Sequence, residues 1–299
     1  MGLLIVGTGA LACLFAAHLA GSGNEVSMLG SWLDGLTSLR QHGVRILEMD
    51  GSTHQYPVAV LDGAELRCDF TQVLVLVKSW QTERVARQLK EYLSADGIAL
   101  TLQNGLGNYE TLEGALGQER VALGVTTVGA KMLEPGYVQY TGEGKVIIGY
   151  HPNLDGLGEL LNKTGFKVDM ISDPISLLWG KLVINAAINP LTALLRVANG
   201  ELLSRPAARE ILRNAACEAA MVATWQGINL PYEDPVEAVE DVARRTAANI
   251  SSMLQDVLRG TATEIDAING AIIREGEHVG IPTPVNRMLW RLVKGLDQH

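Results

Sequence analysis

Hydrophobic and polar positions divide this chain into two regimes. Up to about residue 172, short apolar runs alternate with helical stretches and glycine-rich turns. Leu3–Val6 opens the series, and residues 25–29, 73–77, 98–102, 121–127 and 146–149 continue it. The run VLVLV at 73–77 is apolar at both parities, as a parallel strand covered on both faces should be. Residues 131–143 are turn-rich and read as an edge hairpin. Strands alternating with helices in this way predict a doubly wound α/β sheet.

After Ser172-Asp173-Pro174 the period changes. From Ile175 onward strands fade, alanine becomes frequent and helical periodicity dominates. The breaks fall at Asn199-Gly200, Arg205-Pro206, Pro231, Pro235, Gly260 and Gly280. The expected organisation is therefore a dinucleotide-binding domain over 1–172 and an all-helical domain over 173–299. No internal repeat or low-complexity tract is present. A nucleotide-type sheet followed by helices is a dehydrogenase layout, with substrate held in the cleft between them.

The strongest sign of a nucleotide site is at the start. The apolar run Leu3–Val6 ends in Gly7-Thr8-Gly9-Ala10-Leu11-Ala12, a helical run follows, and a second strand closes by Leu29. This is the GxGxxA form of the dinucleotide fingerprint, in its proper strand–turn–helix context. Gly7 permits the tight turn, Gly9 lets backbone approach a pyrophosphate, and Ala12 allows the helix to pack on the sheet. The helix N-terminus attracts the phosphate charge. The second strand ends Leu29-Gly30-Ser31-Trp32, with no acid before Asp34 to bond a ribose hydroxyl. That favours NADP over NAD, although no arginine follows the strand either. Lys78 and Asn104 follow the strands at 73–77 and 98–102, at the carboxyl ends where such sheets bind ligands. The lesser alternative for Lys78 is a solvated lysine opening the next helix.

One helical stretch departs from its surroundings. GKLVINAAINPLTALL, residues 180–195, carries Lys181, Asn185 and Asn189 at a spacing of four, among Leu, Val, Ile and Ala. These three drift only about 80° around a helix while climbing about 12 Å. An exposed stripe would be rich in Glu and Lys, whereas this one is amide-rich. Facing a nicotinamide, the three would form a ladder along a 2-keto acid. A lysine ammonium stabilises the charge that develops on the carbonyl oxygen and delivers the proton. Carboxamides bind oxygens without adding a charge that must itself be paired. Further on, Thr263-Glu264-Ile265-Asp266 is expected to begin a helix. Glu264 there could simply complement the helix dipole, and spacing leaves Glu264 and Asp266 equivalent.

Composition narrows the partners. The chain has 299 residues, 47% of them hydrophobic, which is ample for two packed cores. A net charge of -9 and a pI near 5.2 argue against nucleic acid. Cys13, Cys68 and Cys217 are scattered and read as buried free thiols, and the six histidines form no metal pattern. The apolar N-terminus has no Lys or Arg before Arg40, so it lacks the positive region of a signal peptide. No other stretch reads as a membrane span, and the expected location is the cytoplasm.

These motifs together resemble the ketopantoate reductase (2-dehydropantoate 2-reductase) family. The resemblance runs in order through GTGALA, VKSWQT, QNGLGN at 103–108, GVTTVGA at 124–130, GKLVINAAINPLTAL, ANGEL, SSMLQD and TEIDAINGAI. It implies a Rossmann-type doubly wound sheet plus an all-helical domain like that of 6-phosphogluconate dehydrogenase. It also implies NADPH-dependent reduction of 2-dehydropantoate to (R)-pantoate, on the route to pantothenate and coenzyme A. By resemblance, Lys181 would donate the proton, and Asn185, Asn189, Asn199 and Ser252 would hold the substrate. Asn104 would sit between cofactor and substrate, and Ala130 would contact the cofactor through its backbone. Glu264, rather than Asp266, would bridge the cofactor ribose and the substrate, and Lys78 would bind the 2′-phosphate.

Many family members carry a basic residue where this chain has Ser31. The hydroxyl leaves Lys78 or Arg40 to supply charge, so weaker discrimination against NADH is expected. A homodimer interface in the helical half would fit the layout. Two rivals share these motifs: a related NAD(P)H-dependent reductase of another branched 2-keto acid, and a non-catalytic nicotinamide sensor. The sensor would need GTGALA but would have no use for Lys181 or Glu264.

Overall fold

The computed structural model describes residues 2–63 and 69–296. Its strands explain the apolar runs directly. In β1 (Leu3–Val6), Leu3 and Ile5 enter one core while Leu4 and Val6 enter another, so every side chain is buried. The chain continues through α1 (Ala10–Gly21), β2 (Val26–Leu29), α2 (Leu33–His42), β3 (Val44–Leu47), β4 (Thr53–Tyr56), β5 (Ala59–Leu61) and β6 (Phe70–Val75). Then come α3 (Thr82–Tyr92), β7 (Leu93–Thr101), α4 (Asn108–Leu116), β8 (Val121–Thr126), β9 (Gly129–Glu134), β10 (Tyr137–Gly142), β11 (Lys145–Gly149), α5 (Asp155–Lys163) and β12 (Lys167–Ile171).

The main sheet runs β12-β11-β8-β7-β6-β1-β2-β5. From β5 to β8 the neighbours are parallel, while β11 is antiparallel to β8. The order reverses direction between β1 and β6, and ligands bind outside the strand ends at such a switch point. Two strands differ from their sequence reading. The expected strand at 73–77 begins at Phe70 and ends at Val75, and the one at 98–102 reaches back to Leu93.

Residues 131–143 do form a hairpin, but not at the edge of the main sheet. β9 and β10 join a second sheet of order β4-β3-β10-β9. α1 packs against β3, β9 and β10 of this sheet and against β1 and β2 of the first. This is why α1 is apolar all round, with Ala12, Cys13, Leu14, Phe15, Ala16, Ala17 and Leu19 all buried. The signal-like character of the N-terminus is that of a helix covered on several sides.

Two compact units result. One comprises the described residues up to Gln103 together with Asn108–Pro174; the other comprises Asn104–Gly107 and the chain from Ile175. The second unit is helical: α6 (Pro174–Leu195), α7 (Pro206–Trp225), α8 (Pro235–Arg245), α9 (Ser252–Leu258), α10 (Asn269–Val279) and α11 (Pro284–Lys294). α7 buries Ala208, Ala215, Ala216, Ala219, Ala220 and Ala223, small residues that let it pack on α8, α10 and α11.

α6 is long and apolar enough to cross a membrane by length and composition, against the sequence expectation that no such stretch exists. With 72% of its apolar window buried, it is accounted for as a core helix. It also contains Pro190, which has no N–H to give the Ala186 carbonyl four residues back. Asn269 at the start of α10 supplies that donor instead, its Nδ2 lying 3.0 Å from the Ala186 carbonyl and 3.0 Å from Asn286 Oδ1. Asn286 Nδ2 donates in turn to the Ala215 carbonyl and to Glu218. One buried amide pair thereby joins four helices.

Candidate active site

The turn after β1 has the shape its glycines predict. Gly7 has φ +133°, and a Cβ there would lie 2.8 Å from the Leu76 carbonyl oxygen. Ala12 is buried directly beside it. Gly9 differs: its φ is -80°, and a Cβ would meet nothing within 4 Å. It is the N-cap of α1 with no side chain capping the helix N–H groups. Thr8 is buried against Gly30, while Ala10 and Leu11 are half-buried. Open space above Gly9 and uncapped amides beneath it fit a dinucleotide phosphate.

Gly9→Ala should therefore leave the folding midpoint unchanged. It should weaken dinucleotide binding about tenfold or more, because a methyl group would stand where the phosphate must reach charge-assisted donors. Calorimetric titration beside a thermal melt separates the two effects. Unaltered affinity would contradict the role given to this turn.

Around the end of β2, Ser31 is exposed and its Oγ accepts from Arg84 Nη2 at 3.2 Å. Arg40, one of the two charges expected to serve here, is instead taken by Asp62 at 2.6 Å. Lys78 is half-buried between β6 and α3, and its carbonyl accepts from the Gln81 N–H. Ala130 lies in β9, paired with Tyr140 across the hairpin. Beneath the strand ends, the buried Gln103 amide donates to the Val77 carbonyl and to Thr82 Oγ1, and its oxygen accepts from Thr101.

In the helical unit the residues singled out in the sequence converge unevenly. Asn104 Nδ2 donates to Glu264 Oε2 at 3.4 Å. Burial pushes the Lys181 ammonium down from 10.5 to about 8, while the nearby Glu264 carboxylate pulls it back up. Asn185 is half-buried and Asn189 is buried, and neither carboxamide has a hydrogen-bond partner among the described residues. Asn199 donates through Nδ2 to Thr246 Oγ1 at 2.9 Å, and its buried Oδ1 has no partner among the described residues. Amides with acceptors or donors to spare, on the same unit as a lysine ammonium whose hold on its proton is weakened by burial, can hold a small oxygen-rich anion and hand it a proton.

Two expectations need correction, a helix beginning at Thr263 and a buried thiol at Cys217. Thr263–Asp266 does not begin a helix: α10 starts at Asn269. The Ala267 carbonyl accepts from Leu106 N–H at 2.9 Å, and Gly270 N–H reaches Ile265, so residues 264–268 close as a turn. Gly105, with φ +84°, makes this possible, since a Cβ would lie 2.4 Å from the Ala267 carbonyl oxygen. Glu264 is thus no dipole complement but a buried carboxylate, whereas Asp266 is exposed and holds Trp290 at 2.7 Å and Lys294 at 3.1 Å. Ser252 is exposed in the first turn of α9; the buried hydroxyl is Ser251, which caps α9 and meets Thr192 Oγ1 at 2.6 Å. Finally, Cys217 is exposed, Cys13 is buried with its thiol pushed up to about 12, and Cys68 lies outside the described residues.

The sequence reading missed Arg84, Gln103, Thr192 and Tyr232. Tyr232 donates to the Gly180 carbonyl at 3.0 Å, and Gly180 has no side chain because Pro231 would lie 2.6 Å from its Cβ. Each contact spans many residues of chain, so no local pattern announces it.

Residues 3–153 match the family model described as ketopantoate reductase PanE/ApbA, and residues 175–297 match its C-terminal model. The 2-dehydropantoate 2-reductase of Archaeoglobus fulgidus is 38% identical over 98% of this chain and 97% of its own. The crystal structure of a PanE/ApbA family ketopantoate reductase from Ralstonia eutropha superposes with a TM-score of 0.92 at 31% identity, covering all of both chains. A D-mandelate dehydrogenase solved with NADH and anilino(oxo)acetate gives a TM-score of 0.93 at 26% identity over 99% of this chain and 98% of that one.

Proposed function

The chain belongs to the ketopantoate reductase family, and from that premise we propose that it reduces 2-dehydropantoate to (R)-pantoate with NADPH. The observation that carries this is the Lys181 ammonium, lowered to about 8 beside Glu264, on the same helix as the unpartnered amides of Asn185 and Asn189. In this proposal residues 1–172 bind the cofactor through the turn Gly7–Ala12, with Lys78 and Ala130. Residues 173–299, joined by Asn104, hold the substrate.

When bound, the nicotinamide supplies hydride to C2 of the keto acid. The chain's own part is orientation and proton control. Asn185, Asn189 and Asn199 bind the oxygens of the substrate, with Ser252 contributing a hydroxyl. Lys181 Nζ donates its proton to the carbonyl oxygen as charge develops there. Glu264 favours the charged ammonium and, through Asn104, fixes that amide's orientation. We infer a cytoplasmic enzyme acting on a small 2-keto acid.

The lysine sets a pH dependence. The ammonium is the acting form, so it is present below about 8 and lost as pH rises through that value. Above it, kcat/KM for reduction should fall about tenfold per pH unit, while oxidation of the hydroxy acid should improve toward it. A reduction rate flat through this region would contradict the assignment.

The mandelate dehydrogenase likeness favours a second reading, reduction of a bulkier 2-keto acid. A substrate panel decides between them. A kcat/KM for 2-dehydropantoate well above those for aryl and other branched 2-keto acids supports the main reading, and the reverse order supports the second.

A further inference from the structure

We propose that Arg84, reaching from α3 to the end of β2, selects the 2′-phosphate of NADP over the 2′-hydroxyl of NAD, with Ser31 as its positioning partner. The inference rests on the nicotinamide reading above and adds to it the residue that sets cofactor preference.

The place is the first argument. In a doubly wound sheet, the residues following the second strand meet the adenosine ribose: an acid there bonds the free hydroxyls of NAD, and an arginine accommodates the phosphate of NADP. After β2 this chain has Gly30, Ser31 and Trp32, and so offers neither by sequence. The structure supplies the missing cation from elsewhere, with Arg84 Nη2 lying 3.2 Å from Ser31 Oγ.

Charge accounting is the second argument. Arg40 is neutralised by Asp62 at 2.6 Å. Arg84 is exposed, and among the described residues its hydrogen-bond partners are the neutral Ser31 hydroxyl and the Gln88 amide at 3.2 Å. The neighbouring Glu83 is engaged by Arg87 at 3.1 Å. Arg84 therefore keeps its full charge and several donors for a dianion, and guanidinium geometry matches phosphate in a bidentate way.

Position on the helix is the third. Arg84 is the third residue of α3, where a cation opposes the helix dipole. A residue that works against its local structure, at a ligand-binding edge, is where function is expected to override stability. In the sequence, 53 positions separate Arg84 from Ser31, so a search of the second strand's end alone could not find it.

The test is calorimetric titration of the wild-type protein, Arg84→Gln and Arg84→Lys with NADP+ and NAD+. Arg84→Gln should raise the Kd for NADP+ about tenfold or more and leave that for NAD+ within about twofold. Arg84→Lys, which keeps the charge but not the fork, should recover part of the preference. An equal loss for both dinucleotides, or no loss for either, would overturn the inference and leave the cofactor reading standing. Wild-type protein that binds NADP+ and NAD+ equally would overturn it likewise. Binding of neither would overturn the nicotinamide reading itself.

Discussion

Lys181→Ala is expected to cut turnover with 2-dehydropantoate by about 10²–10⁴-fold, the range for losing a general acid, while leaving the Kd for NADPH nearly unchanged. The reasoning is that the proton donor and the cofactor turn are different parts of the chain. Gly7 to Ala12 lie after β1, and Lys181 lies on α6. Burial already holds the ammonium near the pH at which proton transfer is easy, and Glu264 prevents it from falling further. Alanine removes both the donor and the positive charge that stabilises the developing oxyanion, so kcat should suffer more than KM. The variant's pH profile should also lose the fall above about 8. Retention of most of the activity would show that another group donates the proton.

Asn269→Leu is the largest expected loss of stability. Leucine would leave the Ala186 carbonyl without the donor that replaces the missing Pro190 N–H, and would leave Asn286 Oδ1 without its partner. Both groups are buried, since Asn269 and Asn286 are each 0% exposed. Stranding two buried acceptors costs about 2–4 kcal/mol, read as a lower urea midpoint. The compensation is specific and can be tested in a double-mutant cycle. Pro190→Ala restores a helical N–H to Ala186, so in that background Asn269→Leu should cost about 1 kcal/mol less. Additive effects would mean that Asn269 does not serve the broken helix bond.

What the sequence made legible follows from physical locality. β1 and its GTGALA turn were readable because strand, turn and helix N-terminus are contiguous. The stripe Lys181–Asn185–Asn189 was readable because amides every four residues contrast with the Leu, Val and Ala around them. The second sheet was not: β4 is Thr53-His54-Gln55-Tyr56, largely exposed, with no apolar alternation to mark it. The helix expected at Thr263 failed because a distant backbone donor, Leu106 N–H, takes the Ala267 carbonyl that the helix would have used. Arg84 was invisible for the same reason, as its importance lies in a neighbour from another strand.

The most direct measurement of the central claim is product analysis after turnover of 2-dehydropantoate with NADPH carrying deuterium at both C4 positions of the nicotinamide. The account predicts (R)-pantoate bearing one deuterium at C2, formed by the wild-type protein and nearly abolished in Lys181→Ala. Unchanged 2-dehydropantoate from a protein that binds NADPH, or a product labelled elsewhere, would contradict it.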